Sequence, residues 1–183
     1  IAVLYMQMGK REESEKIFLE TIDLRAKILG KEHADYANSL HVLGVLYATS
    51  GEYKKAGPYF LEAKNIRGVT LGKEHADYVQ STTNLSKIYV TLEEYDKALP
   101  LALESIAISK KKVGKRHPNY GNALQSLASI RFQLGEYEQS EALYKGVADI
   151  FKDAYGAESV DYAFALVNWA IFYRDMGDFE AAE

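Results

Sequence analysis

Eight residues, Leu29-Gly30-Lys31-Glu32-His33-Ala34-Asp35-Tyr36, return letter for letter as Leu71-Gly72-Lys73-Glu74-His75-Ala76-Asp77-Tyr78, a step of 42 positions. The pattern continues in Val113-Gly114-Lys115-Arg116-His117-Pro118-Asn119-Tyr120 and fades to Tyr155-Gly156. A fixed period in this range implies stacked supersecondary units with one continuous core rather than a globule around one pocket. The 183 residues therefore count repeats rather than domains: a partial repeat over 1–28, repeats over 29–70, 71–112 and 113–154, and a partial repeat over 155–183, in one array.

Within a period the apolar residues fall at helical spacing. Leu40, Leu43, Gly44 and Tyr47 follow i, i+3, i+4, i+7 on one helix, and Ala56, Phe60 and Ala63 follow i, i+4, i+7 on a second. Between them, Thr49-Ser50-Gly51-Glu52 reads as a tight turn whose glycine takes the left-handed conformation that ends a helix. Each period is thus expected to be an antiparallel pair, helix A then helix B.

The same places recur along the chain. The helix A anchor is Ile1, Leu43, Leu85, Leu127 and Trp169, followed by a small residue at Ala2, Gly44, Ser86, Ala128 and Ala170. Three positions on stand Tyr5, Tyr47, Tyr89, Arg131 and Tyr173. The helix B close-contact place holds Ser14, Ala56, Ala98, Ser140 and Ala182, and the turn holds Gly9, Gly51, Glu93, Gly135 and Gly177. This constellation resembles the tetratricopeptide repeat, in the 42-residue form of kinesin light chains and of bacterial repeat proteins that include CHAT-domain chains. The resemblance implies an all-α fold, a right-handed superhelical solenoid of antiparallel helix pairs.

Some positions depart from the pattern. Phe18 and Phe60 give way to Ala102, a loss of volume expected to cost a few kcal/mol unless Leu99 and Leu103 fill it. The octet reads as a helix junction. Its glycine follows the end of helix B, and Asp35, Asp77, Asn119 and Asp161 stand where a side chain can accept free N–H groups at the start of the next helix A. Pro58 and Pro100 share a place early in helix B, where they imply a mild bend. Ile1 begins partway along a helix A and Glu183 stops early in a helix B, so a longer protein is expected, with open helix faces through which copies could self-associate.

Composition excludes several functions. There is no cysteine, hence no disulfide and no thiolate chemistry. A net charge of −4 with interspersed signs argues against nucleic acid, and no apolar run reaches membrane-spanning length. With no basic leader at the start, the expected compartment is the cytoplasm. His33, His75 and His117 repeat one per unit, too far apart to share a metal, and read as junction residues. No motif for a nucleophile, phosphate loop or dinucleotide appears, so neither enzyme activity nor a cofactor is expected. Lys110, Lys111 and Lys112, with Lys115 and Arg116, form the one basic cluster. Its plain reading is a solvated helix end, and its sharper one an edge that meets an anionic partner.

In the tetratricopeptide family helix A lines a concave face. Carried onto this chain, that face comprises Asn38, His41, Val42 and Val45; Gln80, Thr83, Asn84 and Lys87; Asn122, Gln125, Ser126 and Ser129; and Phe164, Val167, Asn168 and Ile171. Amide and hydroxyl side chains there can pair with the backbone of an extended peptide, which implies a protein or peptide ligand. With Lys87 the only inward cation, no carboxylate clamp is expected. The competing reading is a regulatory or sensor segment of a larger enzyme or signalling protein, of peptidase or nucleotide-switch type.

Overall fold

The computed structural model describes residues 2–182, with ten α-helices and no strand among them. The chain divides into two compact units, Ile1–Glu94 and Tyr95–Glu183. The first contains α1 (Ala2–Gln7), α2 (Arg11–Leu29), α3 (Ala34–Thr49), α4 (Tyr53–Thr70) and α5 (Ala76–Thr91). The second contains α6 (Tyr95–Lys112), α7 (Pro118–Gln133), α8 (Tyr137–Tyr155), α9 (Val160–Met176) and α10 (Phe179–Ala182). Inside each unit, successive helices pack on one another. The proposed anchor Ile1 and the terminal Glu183 lie outside the described residues.

The small residue of helix A is where the paired helices come closest. A Cβ added to Gly44 would meet the Phe60 ring at 3.1 Å. The Phe60 ring fills that space and is 1% exposed. Two helix B serines turn the same proximity into hydrogen bonds: Ser14 Oγ donates to the Ala2 carbonyl at 2.9 Å, and Ser140 Oγ to the Ala128 carbonyl at 2.8 Å. Ala56 and Ala98 stand at the corresponding place, fully buried. Ala102 is also fully buried; of the two neighbours expected to fill the lost volume, Leu99 is half-buried and Leu103 is exposed. The helices continue through Pro58 in α4 and Pro100 in α6.

Successive pairs are tied by tyrosine. Tyr47 Oη donates to Glu15 at 2.7 Å, and Tyr173 Oη to Glu141 at 2.7 Å, each bond joining a helix A to the helix B of the preceding pair. Arg131, where the other copies have tyrosine, pairs instead with Glu136.

The turns between paired helices share one geometry. The N–H of the residue that ends the turn reaches back to the tyrosine-position carbonyl, as in Glu52 to Tyr47 at 2.9 Å, Glu94 to Tyr89 at 2.8 Å and Asp178 to Tyr173 at 3.0 Å. This closure needs a left-handed residue just before that N–H. Glycine supplies it at Gly51 and Gly135, whereas Glu93 adopts φ 60° with a side chain attached.

The junction from helix B to helix A differs from expectation in one respect. The acceptor at each start is the histidine ring: Nδ1 of His33, His75 and His117 accepts the N–H of Asp35, Asp77 and Asn119 at 3.1, 3.2 and 3.1 Å. Ser159 does the same for Tyr162 at 3.2 Å. Asp35, Asp77 and Asp161 lie inside the first turn, where their charge complements the helix dipole instead of capping it. A histidine preceding the helix by one position reaches the free N–H because its backbone is extended there.

Two stability effects follow. Glu93→Gly relieves a left-handed side chain and is expected to stabilise by about 1 kcal/mol, read as a higher urea midpoint with unchanged slope. His75→Ala should cost about 1 kcal/mol in the same assay, while His75→Ser, copying Ser159, should be near neutral.

Candidate functional site

In unit 1 two of the residues expected on the helix A face, Asn38 and His41, join a polar node around a buried arginine. Arg67 of α4, 3% exposed, donates to the Asp77 carbonyl at 2.9 Å, to Ser81 Oγ at 2.6 Å and to Asn38 Oδ1 at 2.6 Å. Ser81 Oγ lies 3.2 Å from His41 Nδ1, and the His41 ring packs edge-on to Phe60 at 5.2 Å between centroids. Asn38 and His41 are therefore engaged within the unit. The helical register predicts that His41 faces the groove, but it is 5% exposed and sits beneath the surface, where Ser81 offers it a polar partner and the Phe60 ring packs against it.

A repeat-register exchange accompanies this node. One period earlier Arg25 makes the equivalent bonds to the Asp35 carbonyl at 2.6 Å and to Ser39 at 2.8 Å. One period later the pair becomes Ser109 and Ala123, and then Phe151 and Ala165, two members of one apolar cluster. The Phe151 ring is so close to α7 that a Cβ on Gly121 would meet it at 2.9 Å. A guanidinium bonded to serine and a phenyl ring against alanine are alternative fillings of one place. The sequence carries the signal as two residues changing together at 42-residue steps, which a reading for apolar periodicity passes over.

Beside the node, α3, α4 and α5 enclose a mainly apolar cleft of about 230 Å³. Val45, Asn84 and Lys87 line it with Ala48, Thr49, Tyr53, Phe60, Ile88 and Thr91. Three of the expected positions are thus brought together, with a floor that sequence reasoning did not assign. Burial pushes the Lys87 ammonium below the ordinary lysine range. Val42 is half-buried, Gln80 exposed, and Thr83 buried.

In unit 2 the α7 positions differ among themselves. Asn122 and Gln125 are half-buried, Ser126 is buried, and Ser129 Oγ lies 3.0 Å from the Tyr144 hydroxyl. On α9, Phe164, Val167 and Ile171 are exposed at 64%, 53% and 38%, with Asn168 half-buried beside them. Val167 occupies the register of His41, so one place carries a buried imidazole in unit 1 and an exposed aliphatic side chain in unit 2. Among the described residues no group of three metal-ligating side chains stands together. None of the described helices is long and apolar enough to cross a membrane.

A family model described as the tetratricopeptide repeat matches residues 1–67, 47–111 and 119–183. The chain belongs to the tetratricopeptide repeat family. Several solved structures are similar along nearly its whole length. A crystal structure of nearly identical TPR-like repeats, from a Podosopora anserina protein named as a kinesin light chain, aligns with TM-score 0.75 at 23% identity, covering 99% of this chain and 86% of that one. BtubC (BKLC) from P. vanneervenii aligns with TM-score 0.78 at 19% identity, covering 99% and 72%. The MamA RS-1 ArsTM double mutant aligns with TM-score 0.60 at 15% identity, covering 100% and 84%. A comparison with curated proteins gives no match. The fold is an all-α repeat solenoid, and the tetratricopeptide repeats make the chain a protein-interaction scaffold.

The buried imidazole gives a pH dependence. Burial first, and the Arg67 charge second, push His41 down to about 4, against a smaller opposing effect of Asp77. The unfolded ring takes a proton below about 6.5, while the folded ring refuses it until about pH 4. Its contribution is therefore complete above pH 6.5 and is lost as pH falls toward 4, by up to about 3 kcal/mol. Urea unfolding across that window should show the decline, and His41→Val, which copies Val167, should remove most of it.

Proposed function

We propose that the chain is a non-catalytic scaffold that holds an extended peptide or protein segment against its helix A faces. The observation that carries this reading is the α3–α4–α5 cleft, where an apolar floor of Phe60 and Ile88 meets the polar heads of Asn84 and Lys87. Such a site seats one apolar side chain while the amide pairs with the ligand backbone, and packed helices limit the ordering entropy lost on binding. The α9 residues Phe164, Val167 and Ile171 add apolar surface of the same kind in unit 2.

The reading is tested with peptides selected on the wild-type chain from a random library. Asn84→Ala combined with Asn122→Ala should weaken the selected peptides by about tenfold, the worth of about one desolvated hydrogen bond, at unchanged helix content. Ala48→Leu, which fills the cleft, should abolish binding of peptides anchored there. Affinity unaltered in both variants would overturn the assignment.

A further inference from the structure

We propose that the end of α6 and the loop leading to α7 form a second docking surface, for an acidic protein segment. Residues 110–119 carry Lys110, Lys111, Lys112, Lys115 and Arg116 with no acid. The corresponding stretches are balanced or acidic. Residues 26–35 set two lysines against Glu32 and Asp35; residues 68–77 set Lys73 against Glu74 and Asp77; residues 152–161 set Lys152 against Asp153, Glu158 and Asp161. All five cations of the basic stretch are exposed, in a chain whose net charge is −4. A solvated helix end alone needs cations only in the last turn of α6, to offset the helix dipole. It gives no reason for Arg116 and Asn119 to replace Glu and Asp beyond that end, at the start of α7, where a carboxylate is the favoured residue.

A second element changes in the same direction. In unit 1 the loop residues Lys31 and Glu32 line a cleft with Leu61, Glu62 and Asn65 of α4. Two periods on, these places hold Lys115, Arg116, Lys145, Gly146 and Asp149. One lysine against two glutamates has become three cations against one aspartate. Loop and helix B together therefore shift toward attracting an anion. The α7 first turn has no acidic residue, so its helix dipole adds to the same field.

The size of the patch selects the partner. Within unit 2 the next loop of the same type, at 152–161, is acidic, and it repels any polyanion long enough to run past the basic stretch. A short acidic segment fits between these limits, whereas a nucleic acid or a flat anionic membrane does not. This surface is separate from the α3–α4–α5 cleft and does not rest on it.

The test uses a fluorescent oligoglutamate peptide, a single-stranded oligonucleotide and phosphatidylserine vesicles as probes of the whole chain. The peptide should bind with an affinity that falls as salt rises. The double variant Arg116→Glu with Asn119→Asp restores the two acidic places of the octet; it should weaken peptide binding by about tenfold or more without lowering the melting temperature. Ala48→Leu should leave this binding intact. Equal peptide affinity in the double variant, loss of binding in Ala48→Leu, or tighter binding of the oligonucleotide or vesicles than of the peptide would each overturn the proposal.

Discussion

Everything in each unit depends on how closely a helix A can approach its helix B. Where Gly44 leaves out a side chain, the Phe60 ring occupies the space; where Ala2 and Ala128 are small, Ser14 and Ser140 reach their carbonyls. A larger residue at any of these points would separate the helices, and dispersion contacts fall off within an ångström of added distance. The pair spacing in turn positions the tyrosines for Glu15 and Glu141, so contact within a pair and attachment between pairs are set by one small position.

The solenoid also shows how a repeat alters its interior without altering its backbone. Arg25 with Ser39 and Arg67 with Ser81 are hydrogen-bonded nodes, and Phe151 with Ala165 is an apolar one. The intermediate step, Ser109 with Ala123, leaves the Ser109 hydroxyl buried without a partner. Losing only one member of a buried polar pair is costly, whereas replacing both is nearly neutral. The exchange matters for binding because the arginine node draws Asn38 and His41 inward, and the phenylalanine node makes no such demand on Phe164 and Val167.

Helix pairs, turns and the close-contact positions were legible in the sequence because each is set by residues near one another in the chain and repeated at 42-residue steps. The left-handed turn was readable even at Glu93, since the missing glycine marked its place. The capping atom was read less well: expectation favoured aspartate, but an extended histidine one position before the helix reaches the same N–H group. The surface was least legible. A helical wheel assigns His41 to an inner face, but whether it is reached by solvent depends on Arg67 and Ser81, residues 26 and 40 positions away that local pattern does not connect. Likewise, Val45, Asn84 and Lys87 could be placed on a common side, but the floor beneath them comes from Phe60 of α4 together with Ile88 of α5.

The histidine caps carry one more consequence. A ring whose Nδ1 receives a backbone N–H must carry its own hydrogen on Nε2, so the helix start selects the tautomer. For His33 and His75 a carboxylate oxygen, on Asp35 and Asp77, also stands 3.9 Å from that nitrogen. His117 has the amide Asn119 in that register instead. Three copies of one junction thus fix one ring orientation, with Nε2 left as the donor each time.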